Sequence, residues 1–237
     1  MLVYSNLKSE FISDVLSNRI GEKILSSYKM RLGKSPSPSE IASWQNSLEK
    51  ISLVINEPTI PNTSGVAIEF NIPQTAKRID FIITGRDEQK RKTAVIVELK
   101  QWTEAQVTTK DAIVKTFINQ AQREVSHPSY QAWSYAALLE DFNESVRDTP
   151  IQLKPCAYLH NCESSQAISN DFYRHHLEKA PAFLKDDALK LKEFIKKYVR
   201  YGDNGETLYL INEGRIQPSK ALADALASML KGNNEFV

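Results

Sequence analysis

Two short apolar runs near the middle of the chain, residues 79–84 (IDFIIT) and 93–99 (TAVIVEL), are rich in β-branched side chains. A polar stretch, residues 85–92, separates them, so the pair predicts a β-hairpin with a longer connection. Neither run alternates cleanly between apolar and polar, which predicts strands covered on both faces. Residues 65–72 predict a strand before the pair, residues 73–77 a turn, and residues 155–160 a short strand after it. Helical spacing governs both ends of the chain. Leu7, Phe11, Val15 and Ile20, with Ile12 and Leu16 beside them, predict that it opens with a helix. A second helix carries Ile24, Leu25, Tyr28 and Leu32 and stops at Gly33. Ser37-Pro38-Ser39-Glu40 is a capping box with proline at the first helical position. It starts a helix whose stripe, Ile41, Trp44, Leu48, Ile51 and Ile55, reads as core rather than as a ligand groove.

Residues 58–64 form a linker of Pro, Asn, Thr and Ser, whereas residues 103–125 carry mixed signals, and 111–118 fit helix or strand equally. His127-Pro128 marks a helix start, with a helix over 129–142. Further helices are expected over 170–178 and 186–201, the second striped by Leu191, Phe194, Ile195 and Tyr198. A hairpin-like passage over 207–216 leads to a last helix at 219–231. The pattern divides the chain into a helical part (1–57), an α/β core (58–163) and a mostly helical extension (164–237), in one compact unit.

Composition narrows the function classes only a little. The 237 residues are 41% apolar and 25% charged, enough for one good core. Thirty Lys and Arg against twenty-nine Asp and Glu leave the charge near zero, so any nucleic-acid binding must use a local patch. The lysines 190, 192, 196 and 197 with Arg200 could track a phosphate backbone, but a solvated helix face is the commoner meaning. Cys156 and Cys162 make neither a disulfide framework nor a C-x-x-C metal site and read as buried thiols. No signal peptide and no membrane-length apolar run are evident, which points to the cytoplasm. Gly33-Lys34-Ser35 is no phosphate loop, because Tyr28 stands where its first glycine belongs. ATP hydrolysis by this chain alone is not expected.

The candidate chemistry lies inside the apolar runs. Asp80, Glu98 and Lys100 are ionic residues in strands that should be buried, and a buried carboxylate is costly unless paired or metal-bound. Glu98 and Lys100 leave one face of a strand about 6.6 Å apart. Hairpin pairing brings Asp80 to the same edge. Two carboxylates and an ammonium around one point are what a magnesium-dependent phosphodiesterase needs. Asp80 and Glu98, with the Leu99 carbonyl, would hold Mg²⁺ (or Mn²⁺) through hard oxygens with several waters retained. Glu69, on the preceding strand, is a candidate third acid or a salt-bridged strand residue. Lys77 and Arg78 could approach a phosphate, although a basic pair at a strand start is more often solvated.

The pattern D-(x17)-E-x-K, from Asp80 to Lys100, resembles that of the PD-(D/E)XK, or restriction-endonuclease-like, nucleases. That resemblance implies a central mixed sheet flanked by helices, with helical additions at both ends here. Gln131 and Tyr135, four apart and so on one helix face, resemble the Q-x-x-x-Y motif of the RecB-like branch. In that branch both residues line the active site beside DNA. RIDFIITG, VELKQW, HPSYQAWSYAALLEDFN and LKPCAYLHN resemble the amino-terminal nuclease-like module of bacterial proteins carrying a Schlafen-type P-loop helicase domain. The resemblance implies a DNA nuclease (RNA stays open) working with a helicase in repair or anti-phage defence, or a silent nuclease fold that only binds. It also implies a further acid on an early helix, for which Glu10, Glu22, Glu49 and the strand residue Glu69 are all eligible. His127 could touch a phosphate, though a histidine at a helix start is more often structural. The end of the chain, residues 232–237, falls about where the helicase part would begin, so an excised module and a free-standing product both fit.

Overall fold

A computed structural model describes residues 2–32, 36–118, 121–164 and 166–230. The Gly33 helix stop, the Gly33-Lys34-Ser35 motif and the end at 232–237 lie outside the described residues. The chain is α/β: a mixed six-stranded sheet with helices on both faces. Its strands are β1 (Leu2–Leu7), β2 (Gly65–Asn71), β3 (Arg78–Arg86), β4 (Lys92–Lys100), β8 (Gln152–Leu159) and β9 (Ala182–Leu184), adjacent in that order. The first four pair antiparallel, while β4–β8 and β8–β9 pair parallel. Between β4 and the next helix the chain makes a separate three-stranded arm of β5 (Gln106–Val107), β6 (Ile113–Ile118) and β7 (Ala121–Ser126).

Helices α1 (Lys8–Leu16), α2 (Ile20–Leu32), α3 (Pro38–Ile55) and α7 (Ala188–Tyr198) cover one face. Phe11, Leu48, Ile51, Leu191 and Ile195 pack there on Phe81, Ile83, Val95 and Val97. Helices α4 (Pro128–Phe142), α5 (Glu144–Asp148) and α8 (Glu206–Glu213) cover the other, where Tyr135, Leu139 and Ile211 meet Ile82, Ala94 and Ile96. Strand alternation thus divides β4 between two cores, and this is why neither central run alternates in sequence. The remaining helices are α6 (Arg174–Lys179) and α9 (Lys220–Leu230), with short 3₁₀ turns at Asp171–Tyr173 and Lys185–Asp187.

The capping box closes as expected, with Ser37 and Glu40 each bonding the other's backbone amide. The central hairpin is present. Two expectations are corrected, the opening helix and the hairpin-like passage at 207–216, and one open stretch is resolved. The chain opens with strand β1 rather than a helix, because Leu2, Val3 and Tyr4 are buried by pairing with β2. Within the mixed stretch 103–125, the residues left open between helix and strand include strand β6, Ile113–Ile118. β9, three residues long, is too short to show a period. The passage read as a hairpin at 207–216 is helix α8. Its β-like composition loses to Asp203, whose carboxylate accepts the Gly205 and Thr207 amides and opens the helix. No helix among the described residues is long and apolar enough to cross a membrane.

Candidate active site where the central strands part

β3 and β4 pair from Arg86–Lys92 as far as Phe81–Val97. One residue further the strands part, and Asp80 and Glu98 stand on either side of the gap. There a side chain replaces the ladder: Asp80 Oδ2 accepts the Leu99 N–H at 2.9 Å. Continuing the alternation from Ala94 and Ile96, Glu98 and Lys100 face α4. Glu98 is 1% exposed, and its Oε1 accepts from Lys100 Nζ at 2.6 Å. Its Oε2 is buried and accepts from no donor among the described residues, and a hydrogen bond with the Asp80 side chain helps to hold the carboxyl protonated. Burial, then the charge of Asp80, push the Glu98 carboxyl up to about 8 against the pull of Lys100. Burial disfavours the Lys100 ammonium, but Glu98 and Asp80 outweigh it and raise its pKa.

Gln131 and Tyr135 reach the same place from α4. Gln131 Nε2 donates to the Tyr135 hydroxyl at 2.7 Å. Burial, with the charge of Glu98, drives the phenol well above its ordinary value. The five residues Asp80, Glu98, Lys100, Gln131 and Tyr135 line one cavity of about 440 Å³, with Arg78 and Tyr28 at its edge. The expected convergence of these five is therefore found. Leu99 lies between the acids with its amide spent on Asp80.

Glu69 is also brought close. It sits in β2 with φ +57, a left-handed conformation costing a non-glycine residue about 1–3 kcal/mol unless its surroundings compel it. It is the position in β2 that the ladder with β3 skips, between Ile68–Phe81 and Phe70–Ile79. The kink buries the carboxylate against Arg78 Nε at 2.5 Å. Burial first, and Asp80 next, raise Glu69 to about 8, while Arg78 opposes them. Arg78 also extends toward Glu40 at 3.8 Å.

A second cleft of similar size adjoins the first through Arg78, Asp80 and Lys100, takes in Glu69, and runs between α3 and the arm. Glu40 lines it; Glu10, Glu22 and Glu49 are exposed and line neither cavity. Of the early helices, then, α3 supplies the acid near the site. Its role in the capping box hid Glu40 in the sequence, although a first-turn glutamate can serve both ends of its side chain. Trp44 and Leu48 are core, yet they also line this cleft. Lys77 is exposed and outside both cavities.

His127 departs from a phosphate-contacting role. It is fully buried, its Nδ1 accepting the Ser129 amide and its Nε2 meeting the Ile168 carbonyl at 3.0 Å. Burial holds its pKa down at about 4, so it is a neutral cap for α4. The basic face of α7 is largely neutralised: Lys190, Lys192 and Lys196 pair with Asp187, Glu57 and Glu193.

No group of three or more His, Cys, Asp and Glu side chains forms a cation cage among the described residues. The donor set is two carboxylates at a gap. It suits a hard cation that keeps most of its water, since such an ion asks little of the protein beyond one or two carboxylates. The unpartnered Glu98 Oε2 is the observation that fits such an ion, because a buried oxygen without a donor is otherwise costly. No family model, no curated protein and no solved structure matches this chain.

Proposed function

We propose that the chain is a metal-dependent nuclease hydrolysing phosphodiester bonds of DNA, with a restriction-endonuclease-like core of the RecB-type branch. The observation that carries the reading is the meeting of Asp80, Glu98 and Lys100 where two central strands part, with one Glu98 oxygen left without a partner. The order α3–β2–β3–β4–α4–β8 supports it, being helix–strand–strand–strand–helix–strand around a mixed sheet. So does the placing of Gln131 and Tyr135 on the same cavity.

On this reading Asp80 and Glu98 hold Mg²⁺ or Mn²⁺. The bound ion supplies charge to polarise the phosphate and to acidify a water. Glu98 must surrender the proton that burial favours before it can bind a cation. Lys100, charged and paired with Glu98 at the cavity wall, orients the attacking water or meets charge developing on the phosphate. Gln131 fixes that water or a phosphate oxygen by hydrogen bonds, and the Tyr135 phenol, kept neutral by burial, holds Gln131 in place. Arg78 balances Glu69 and stands ready for a phosphate oxygen. The wider proposal couples the chain to a P-loop helicase domain, in repair or anti-phage defence inside the cytoplasm.

A second reading is a nuclease fold that binds DNA without cutting it. Mg²⁺ and Mn²⁺ titrated against labelled single- and double-stranded DNA separate the two. A nuclease shortens the label only with the ion present, while a binder shifts it and never shortens it. Equal cleavage by the parent, Asp80→Ala and Lys100→Ala would end the assignment of these residues.

A further inference from the structure

We infer that the arm β5–β7 and the floor beneath it form a stacking subsite for an unpaired base, so that the chain engages nucleic acid as a single strand. The inference rests on the nucleic-acid reading of the neighbouring site. Phe117, one residue before the end of β6, is 51% exposed, and with Ile118 it closes the arm's side of the second cleft. The floor is Trp102, half-buried: it packs on the core cluster of Ala157, Leu159 and Ile168, and the Lys100 ammonium lies 5.4 Å from its ring centre. Neither ring has an aromatic partner among the described residues. Two unpaired aromatic side chains on separate walls of a 440 Å³ cleft leave room for a flat, apolar guest.

The floor is held rigidly. Gln101 Nε2 donates to the Ser43 carbonyl at 2.7 Å and to Ser47 Oγ at 3.2 Å, tying the strand end to α3. The charge lining the cleft is mixed: Arg78 and Lys100 stand beside Glu40, Glu69 and Asp80, and these two cations are the donors it offers a phosphate. A base lodged between Phe117 and Trp102 would turn its phosphate toward Arg78 and Lys100, which line the same cleft beside Asp80. Duplex bases are already stacked on one another and present no free face, whereas a single strand offers every base to an aromatic wall.

The test is binding without cleavage. Fluorescence anisotropy with labelled oligothymidylate, oligouridylate and a matched duplex is read in chelator, for the parent, Phe117→Ala, Phe117→Leu and Trp102→Phe. Phe117 is exposed, so its variants should melt with the parent. We expect Phe117→Ala to weaken single-strand binding roughly 5- to 150-fold, the usual loss for one stacked base, and to leave duplex binding unchanged. Phe117→Leu should fail to restore it, and Trp102→Phe should largely retain it. Equal single-strand affinity in Phe117→Ala and the parent overturns the subsite even where the parent cleaves with Mg²⁺. A parent that needs Phe117 to bind single strands but never cuts them leaves the subsite standing and ends the nuclease reading. Comparison of the thymidylate and uridylate arms assigns DNA or RNA.

Discussion

The sheet buries a carboxylate at each end, and the two are treated in opposite ways. Asp203 sits where β2 and β3 meet the start of α8. It accepts the amides of Gly65, Gly205 and Thr207 and the Thr84 hydroxyl, at 3.1 to 3.3 Å. Glu98, at the other end, keeps one oxygen unpartnered and has its proton held by burial. A satisfied buried acid joins elements together; an unsatisfied one is a cost that the fold carries for something else. The difference teaches that burial alone does not mark a site.

The largest effect expected from breaking this contrast is on activity. Asp80→Ala and Lys100→Ala should each lower metal-dependent cleavage by at least about 10²–10³, the usual loss for one electrostatic contact at a reacting phosphate. Far-ultraviolet circular dichroism should stay that of the parent.

At the satisfied end the loss should be stability instead. Asp203→Ala leaves three amides and a hydroxyl without their acceptor and should cost about 2–4 kcal/mol in denaturant unfolding. Asp203→Asn should recover part of it. Glu98→Gln should cost nothing or stabilise the metal-free protein, because the neutral form is already the favoured one there. A large destabilisation by Glu98→Gln would mean that the acid is structural after all.

A smaller, pH-dependent effect follows from Glu69 and Glu98. In the folded chain both hold protons up to about pH 8, against 4.5 for an ordinary glutamate. The folded state thus binds more protons between those values, and stability of the metal-free protein should fall as pH rises from about 5 to 8. Mg²⁺ competes with the Glu98 proton, so its protection against thermal unfolding should grow over the same interval. Melting curves with and without the ion check both slopes, and Glu98→Gln should remove the growth. The smallest effect is expected on the arm. Glu124→Ala removes the exposed ion pair with Lys110 and should leave the denaturant midpoint where it was.

Much of this architecture was legible in the chain. The β-branched runs around Ile82 and Ile96 specify buried strands, and the capping box at Ser37 specifies where α3 starts. Such features depend on residues close in sequence, and local sterics suffice to read them. The spacing of Glu98 and Lys100, and of Gln131 and Tyr135, likewise fixes which pairs share a face. What escaped is what depends on distant partners. β1 is a strand because β2 lies beside it, and α8 is a helix because Asp203 caps it. The left-handed Glu69 and the double duty of Glu40 come from the same cause.

By itself, then, the sequence determined the central hairpin, the faces of its ionic residues and the helix that brings Gln131 and Tyr135. Only the tertiary structure decided that β3 and β4 part just where Asp80 and Glu98 stand, that His127 is sealed away, and that one Glu98 oxygen lacks a donor among the described residues. Local rules set where a side chain points along its own element. How many hydrogen-bond donors surround it is a property of every segment packed there, and it exists only once the chain has closed on itself.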